Sequence, residues 1–210
     1  MLFSISASDI GKKFGTEWIF RGFSHNFAPN QVYVFVGNNG SGKSTLLKTL
    51  SGMLSPTQGK VVYTKGKRLL PVEYWFRNIG YAAPYMELVE EFSLLESIEF
   101  HAQFKKLLIP NQQIVEELAF SKTATQKPLK FFSSGMKQKL KLALALYTDS
   151  KVLCLDEPTA NFDKHNLLWY QEQVHKYKTN RIVFLASNLV EEYEFLESTI
   201  IEMAHYKGIK

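Results

Sequence analysis

The sequence predicts an α/β fold built on a mostly parallel sheet, and three observations carry the prediction. VYVFV (32–36), KVLCL (151–155) and RIVFLA (181–186) are short runs of β-branched and other apolar residues without alternation. That is the pattern of strands buried on both faces. Segments with apolar groups at helical spacing alternate with these runs. The first run also ends at a glycine-rich stretch that leads directly into a helical pattern.

In chain order, the opening residues read as mixed strands, an N-terminal antiparallel β part placed before the parallel sheet. After strand 32–36, residues 43–52 (KSTLLKTLSG) read as a helix with a glycine stop. Residues 56–59 form a turn and 61–63 (VVY) resume a strand. NIGYAA (78–83) is another strand, stopped by Pro84. Helical spacing follows at 93–108 and 111–120, then at about 134–147 and 164–178. A helix at 189–196 and a strand at 199–203 (TIIEM) complete the pattern. One domain over 1–210 is expected, with a core of 1–84 and 132–210 and a small helical subdomain inserted at 85–131.

Composition narrows the function classes. The 210 residues are 45% hydrophobic, enough for a full core. A lone cysteine, Cys154, makes no internal disulfide and fits a reducing compartment. No apolar run approaches the roughly 18 residues of a membrane span, and the first residues lack the apolar core of a secretory signal. A cytoplasmic location is therefore expected. The net charge of +5 is mild. Because the lysines form no dense run interleaved with aromatics, nucleic acid is not expected as a partner. Charge is nevertheless uneven: Glu87, Glu90, Glu91, Glu96 and Glu99 crowd one stretch, and six lysines with no acid occupy 120–148.

Gly37-Asn38-Asn39-Gly40-Ser41-Gly42-Lys43-Ser44 fits the phosphate-loop pattern G-x-x-x-x-G-K-[ST] throughout, between a strand and a helix. Glycines permit the backbone angles that turn successive N–H groups onto anionic oxygens. A helix N-terminus adds free donors and partial positive charge. Lys43 supplies a point charge for the β- and γ-phosphates of ATP, and the Ser44 hydroxyl suits Mg²⁺; Thr45 follows in the same first turn. The fold class becomes a phosphate-loop nucleotide-hydrolase core.

Asp156 and Glu157 end the strand that begins near Val152. Parallel sheets place ligands at the carboxyl ends of their strands. Asp156 is suited to Mg²⁺, and Glu157 to orienting or deprotonating an attacking water.

Phe132-Ser133-Ser134-Gly135-Met136-Lys137-Gln138 resembles the signature sequence of ABC-family ATPases. The string from Asp156 to Asp163 resembles that family's Walker B motif and D-loop. Phe14, in Lys-Lys-Phe-Gly, stands where the family stacks an aromatic on adenine. Residues 55–59 (SPTQG) resemble the turn after the phosphate-loop helix. The resemblance runs the length of the chain and implies an ATPase working as a dimer, homo- or heterodimeric. Ser133, Ser134 and Gly135 of one subunit would then close over the γ-phosphate held by the other. It also implies a separate membrane permease as partner and a peripheral position on the cytoplasmic face.

Two positions depart from the family. Pro84 falls where a glutamine usually reaches Mg²⁺ and water, with Glu87 as a nearby substitute. Asn188 stands where a histidine usually contacts the γ-phosphate, and its amide can still donate. Slow turnover with normal ATP affinity is expected. The departures also keep open an alternative: a soluble ATP switch with little turnover and a non-membrane partner. Ribosome- or DNA-acting members of the family carry paired ATPase units or long coiled coils, which this chain lacks.

Overall fold

The computed structural model describes residues 3–207. Its elements run β1 (Phe3–Phe14), β2 (Glu17–Phe27), β3 (Gln31–Val36), α1 (Lys43–Leu50), β4 (Gln58–Lys65), β5 (Arg68–Leu70) and β6 (Ile79–Ala82). Helices α2 (Leu94–Phe104), α3 (Asn111–Leu118), α4 (Lys122–Thr125) and α5 (Ser134–Tyr147) follow, then β7 (Val152–Asp156), α6 (Lys164–Tyr177), β8 (Ile182–Ala186) and β9 (Ser198–Glu202).

Two sheets organise the chain. One is antiparallel, in the order β2-β1-β4-β5; the other is five-stranded, in the order β6-β7-β8-β3-β9. All neighbours in the second sheet are parallel. Its inner strands β3, β7 and β8 are buried on both faces, which explains their unbroken apolar runs. Because side chains alternate with period two, each of these inner strands feeds two cores. Val32, Val34, Leu153, Leu155, Val183 and Leu185 point into a core shared with α2, α3, α5 and α6. Tyr33, Phe35, Val152, Cys154, Ile182 and Phe184 point into a second core, with Leu46, Leu47 and Leu50 of α1 and the buried face of the antiparallel sheet. Aromatic edges lock that second core: Phe27 meets Tyr33 and Phe184 with ring centroids 4.8 and 4.7 Å apart.

The antiparallel sheet is more extensive than the sequence conveys. β1 pairs with β2 on one side and β4 on the other. Its alternation of buried Phe3, Ile5 and Ala7 breaks where the register shifts before Ile10, with Asp9 at φ 49°. The strand expected at 61–63 extends over Gln58–Lys65, absorbing part of the turn expected at 56–59.

Between β6 and α5 the chain is mostly helical. Ser93 caps α2 in a capping box with Glu96, and α2 stops at Phe104 rather than 108. No helix forms over 189–196. A single 3-10 turn, Val190–Glu192, stands there. The Ser187 hydroxyl accepts from the Leu189 N–H, and Glu192 turns inward instead of continuing a helical face.

Candidate functional site

Strands β6, β7, β8 and β3 are neighbours and point the same way, so their carboxyl ends form one edge. Each end delivers a candidate residue: Tyr85 beyond β6, Asp156 and Glu157 from β7, Asn188 beyond β8, and the phosphate loop beyond β3. Asp156 lies in register with Ala186, and the Glu157 N–H donates to the Ala186 carbonyl at 2.9 Å. Glu157 adopts φ 43°, the left-handed region. For a residue with a side chain this is a strained backbone angle of the kind found at functional sites.

The loop itself has the expected nest geometry. Gly40 and Gly42 sit at φ 78° and 97°, and a Cβ on Gly42 would lie 2.9 Å from Ile19 Cγ2. Position 42 therefore requires glycine on both conformational and steric grounds. Lys43 curls back over the loop and its Nζ donates to the carbonyls of Gly37 at 2.6 Å and Asn38 at 3.3 Å. Burial lowers the Lys43 pKa, opposed by the charges of Glu157 and Asp156. The Ser41 hydroxyl is buried with no partner among the described residues. A cleft of about 240 Å³ is lined by Ile19, Asn39 through Thr45, and Glu157.

Ser44 Oγ donates to Asp156 Oδ1 at 3.0 Å. Asp156 is only 1% exposed. Burial pushes its carboxyl pKa up, against hydrogen bonds from Tyr85 and Ser44, with Glu157 adding repulsion and Lys48 attraction. Asn188 Nδ2 donates to Asn39 Oδ1 at 2.6 Å, which sets its amide at the loop's mouth.

Other predicted residues lie apart from this cleft. Phe14 ends β1, is 52% exposed, and has Lys12 Nζ 5.3 Å from its ring centre; the ring is free to stack on a ligand. Ser133 caps α5 by accepting from the Met136 N–H at 3.2 Å, and Ser134 is exposed beside it. Gly135 packs against the chain at Asn161, where a Cβ would meet the Asn161 carbonyl oxygen at 2.9 Å. None of the three lines the cleft of its own copy.

Two site features were not read from the sequence. Ile19 walls the phosphate cleft from the antiparallel sheet, and nothing in its local pattern marks it. Tyr85 reaches the acid pair: its hydroxyl donates to Asp156 Oδ2 at 2.9 Å. It, and not Glu87, is the side chain after Pro84 that bonds Asp156. Of the glutamate cluster, Glu90 forms an ion pair with Lys137 of α5 at 2.5 Å, and Glu96 is spent on the α2 cap.

A phosphate loop, a serine bonded to a buried aspartate and an adjoining glutamate at the carboxyl edge of a parallel sheet define a nucleotide-phosphate site. The sequence model of the ABC transporter family matches residues 20–160, and the chain belongs to that family, as one of its ATPase domains. It is 31% identical to ABC transporter A family member 4 of Dictyostelium discoideum over 96% of this chain and 13% of that protein. Similarity to the phospholipid-transporting ATPase ABCA3 of Rattus norvegicus is 30% over 88% and 11% respectively. The chain thus spans only a small part of the length of these relatives. An uncharacterized ABC transporter ATP-binding protein of Bacillus subtilis is 26% identical over 95% of this chain and 66% of its own. Among solved structures, a putative ABC transporter ATP-binding protein of Pyrococcus furiosus superposes with a TM-score of 0.82 at 20% identity, covering 98% of this chain and all of that one. A bacterial ABC transporter cassette solved as a dimer gives 0.75 at 18% identity, covering 95% and 94%. These likenesses establish the P-loop ATPase fold. Among the described residues no helix is long and apolar enough to cross a membrane.

Proposed function

We propose that this chain binds ATP with Mg²⁺ in the phosphate loop, hydrolyses it, and drives transport through a separate membrane permease by ATP-dependent dimerisation. The observation that carries the reading is the convergence of the loop, Ser44–Asp156 and Glu157 on one edge. The donors present suit the ligands. The unpartnered Ser41 hydroxyl and a Lys43 ammonium held only by carbonyls await an anion. A serine and one carboxylate are too few for an all-protein metal cage but suit a Mg²⁺ shared with phosphates. When bound, that ion neutralises charge developing on the β- and γ-phosphates.

The chain's own residues do the rest. Lys43 exchanges its carbonyl partners for phosphate oxygens, and the loop N–H groups and the start of α1 hold the remaining charge. Glu157 orients the attacking water and takes its proton. Asn188 offers its amide to the γ-phosphate, while Phe14 stacks on the adenine. Ser133, Ser134 and Gly135 present an open helix start to the phosphate of a second copy, homo- or heterodimeric, which fits their position away from their own cleft. The dimeric cassette among the structural neighbours supports this arrangement. We place the helical subdomain, 85–131, against the permease on the cytoplasmic face of a membrane. Glu157 beside the cleft favours turnover over a silent switch.

The direct test is Lys43→Ala. It removes the one side-chain cation on the phosphates, and a hydrogen bond to a charged group is worth about 1.5–3 kcal/mol. ATP affinity should fall roughly ten- to a hundredfold. Undiminished binding of ATP by this variant would overturn the site.

A further inference from the structure

Tyr85 closes a ring of contacts around the carboxylate that would hold the metal. Asp156 Oδ1 accepts from Ser44, and Oδ2 accepts from the Tyr85 hydroxyl at 2.9 Å. Behind Tyr85 stands Tyr81, with 2.7 Å between the two hydroxyl oxygens. A carboxylate only accepts and each phenol has one proton. Tyr85 therefore spends its proton on Asp156, and Tyr81 donates to Tyr85. The Tyr85 ring is held as well: Lys48 Nζ lies 3.9 Å from its centre. Lys48 is four residues beyond Ser44 on α1, so the two share a helix face. One turn of α1 thereby contacts Asp156 through Ser44 and the Tyr85 ring through Lys48.

The backbone that carries Tyr85 is also pinned. Lys141 Nζ of α5 donates to the Pro84 carbonyl at 2.6 Å, and the Met86 N–H closes a turn onto Ala83 at 3.2 Å. Pro84 fixes the chain direction here. The result is a preformed donor aimed at the outer oxygen of a buried carboxylate, which leaves Oδ1 facing Ser44.

We propose that Tyr85 is a positioning residue for the metal site: through Oδ2 it holds Asp156 Oδ1 toward Ser44, and so does work that the side chain of Pro84 cannot do. The inference rests on the assignment of Ser44 and Asp156 as metal ligands. Groups that orient ligands in this way typically contribute ten- to a hundredfold to metal affinity.

The test uses Tyr85→Phe, which keeps the ring and its contact with Lys48 and removes only the hydroxyl. Mn²⁺ binding in the presence of ATP is followed by electron paramagnetic resonance, and ATP binding without metal by equilibrium dialysis in chelator. Tyr85→Phe should weaken Mn²⁺ about tenfold and leave metal-free ATP affinity unchanged. Tyr81→Phe, which keeps the direct bond, should lose less. Parent-like or tighter Mn²⁺ binding by Tyr85→Phe overturns the proposal, as does an equal loss of ATP affinity with and without metal. Asp156→Asn separates the two levels. If it loses Mn²⁺ while Tyr85→Phe does not, the metal site stands and Tyr85's role falls. If Asp156→Asn binds Mn²⁺ like the parent, the ligand assignment itself is wrong.

Discussion

Glu192 joins the two loops that flank the hydrolytic edge, and its removal should be costly. The residue is 1% exposed. Its Oε1 accepts from the Thr159 N–H at 2.8 Å and from the Thr159 hydroxyl at 2.5 Å. Thr159 lies two residues beyond Glu157, and Glu192 four beyond Asn188, so one carboxylate spaces the candidate base from the candidate γ-phosphate donor. Burial pushes the Glu192 carboxyl pKa up, against the hydrogen bonds from Thr159. Glu192→Ala strands a buried N–H and a buried hydroxyl. At about 1–3 kcal/mol for each unsatisfied group, and with the hydroxyl free to turn elsewhere, the loss should be about 2–4 kcal/mol. Glu192→Gln keeps an acceptor oxygen and should stay within about 1 kcal/mol of the parent. Equilibrium urea denaturation reads both, and steady-state ATPase should fall with Glu192→Ala at temperatures where it remains folded. If the alanine variant lies within about 0.5 kcal/mol of the parent, the level of an ordinary surface change, or if glutamine harms as much as alanine, the hydrogen-bonding account of Glu192 is refuted.

Three further perturbations probe separate parts of the site. Phe14→Ala should leave stability unchanged and weaken ATP by about 1–3 kcal/mol of lost stacking, while inorganic triphosphate binds as before; equal losses for both ligands would deny an adenine contact. Asn188→Ala should lower kcat on the order of 10²-fold at constant ATP affinity, with Asn188→His at or above the parent rate; a parent-like kcat for the alanine variant would remove the amide from catalysis. His101 is pushed down to about 4 by burial, with the Lys105 charge contributing, and its Nε2 lies 2.9 Å from Thr148 Oγ1. Folded His101 thus stays neutral where the unfolded chain takes up a proton, so its contribution is full above about pH 6.5 and is lost as pH falls toward 4. The loss is at most about 3 kcal/mol, and His101→Gln should flatten the pH dependence of the urea midpoint; an identical slope would contradict it.

What the sequence made legible was chemistry that is local in the chain. The phosphate loop needs glycines and a lysine at fixed spacing, and Asp156 and Glu157 end a strand whose apolar run is unmistakable. Strands buried on both faces and helices such as α5 and α6 likewise carry their own periodicity. The antiparallel sheet was less visible, because the bulge after Ala7 breaks the alternation of β1 and polar residues occupy its open face. The sequence 189–196 has helical spacing, yet tertiary bonds override it: Ser187 turns the chain, and Glu192 is drawn inward to Thr159. Glu90 stands in a crowded run of glutamates, and its partner, Lys137, lies 47 residues away. Tyr85 was hidden for the same reason. Its importance depends on β6 lying beside β7, although two tyrosines four apart around the end of a strand next to the acid pair were a signal available to a reading that paired those strands.

Glu157→Gln tests the central claim most directly. The substitution preserves size and an acceptor oxygen but removes the base that would take the water's proton. With Mg²⁺ and ATP, size-exclusion chromatography with light scattering and a turnover assay are read on the same sample. The account predicts parent-like ATP affinity, turnover reduced on the order of 10²-fold or more, and a stable dimer that dissociates when ATP is removed. Turnover equal to the parent, or a variant that no longer binds ATP, would contradict it.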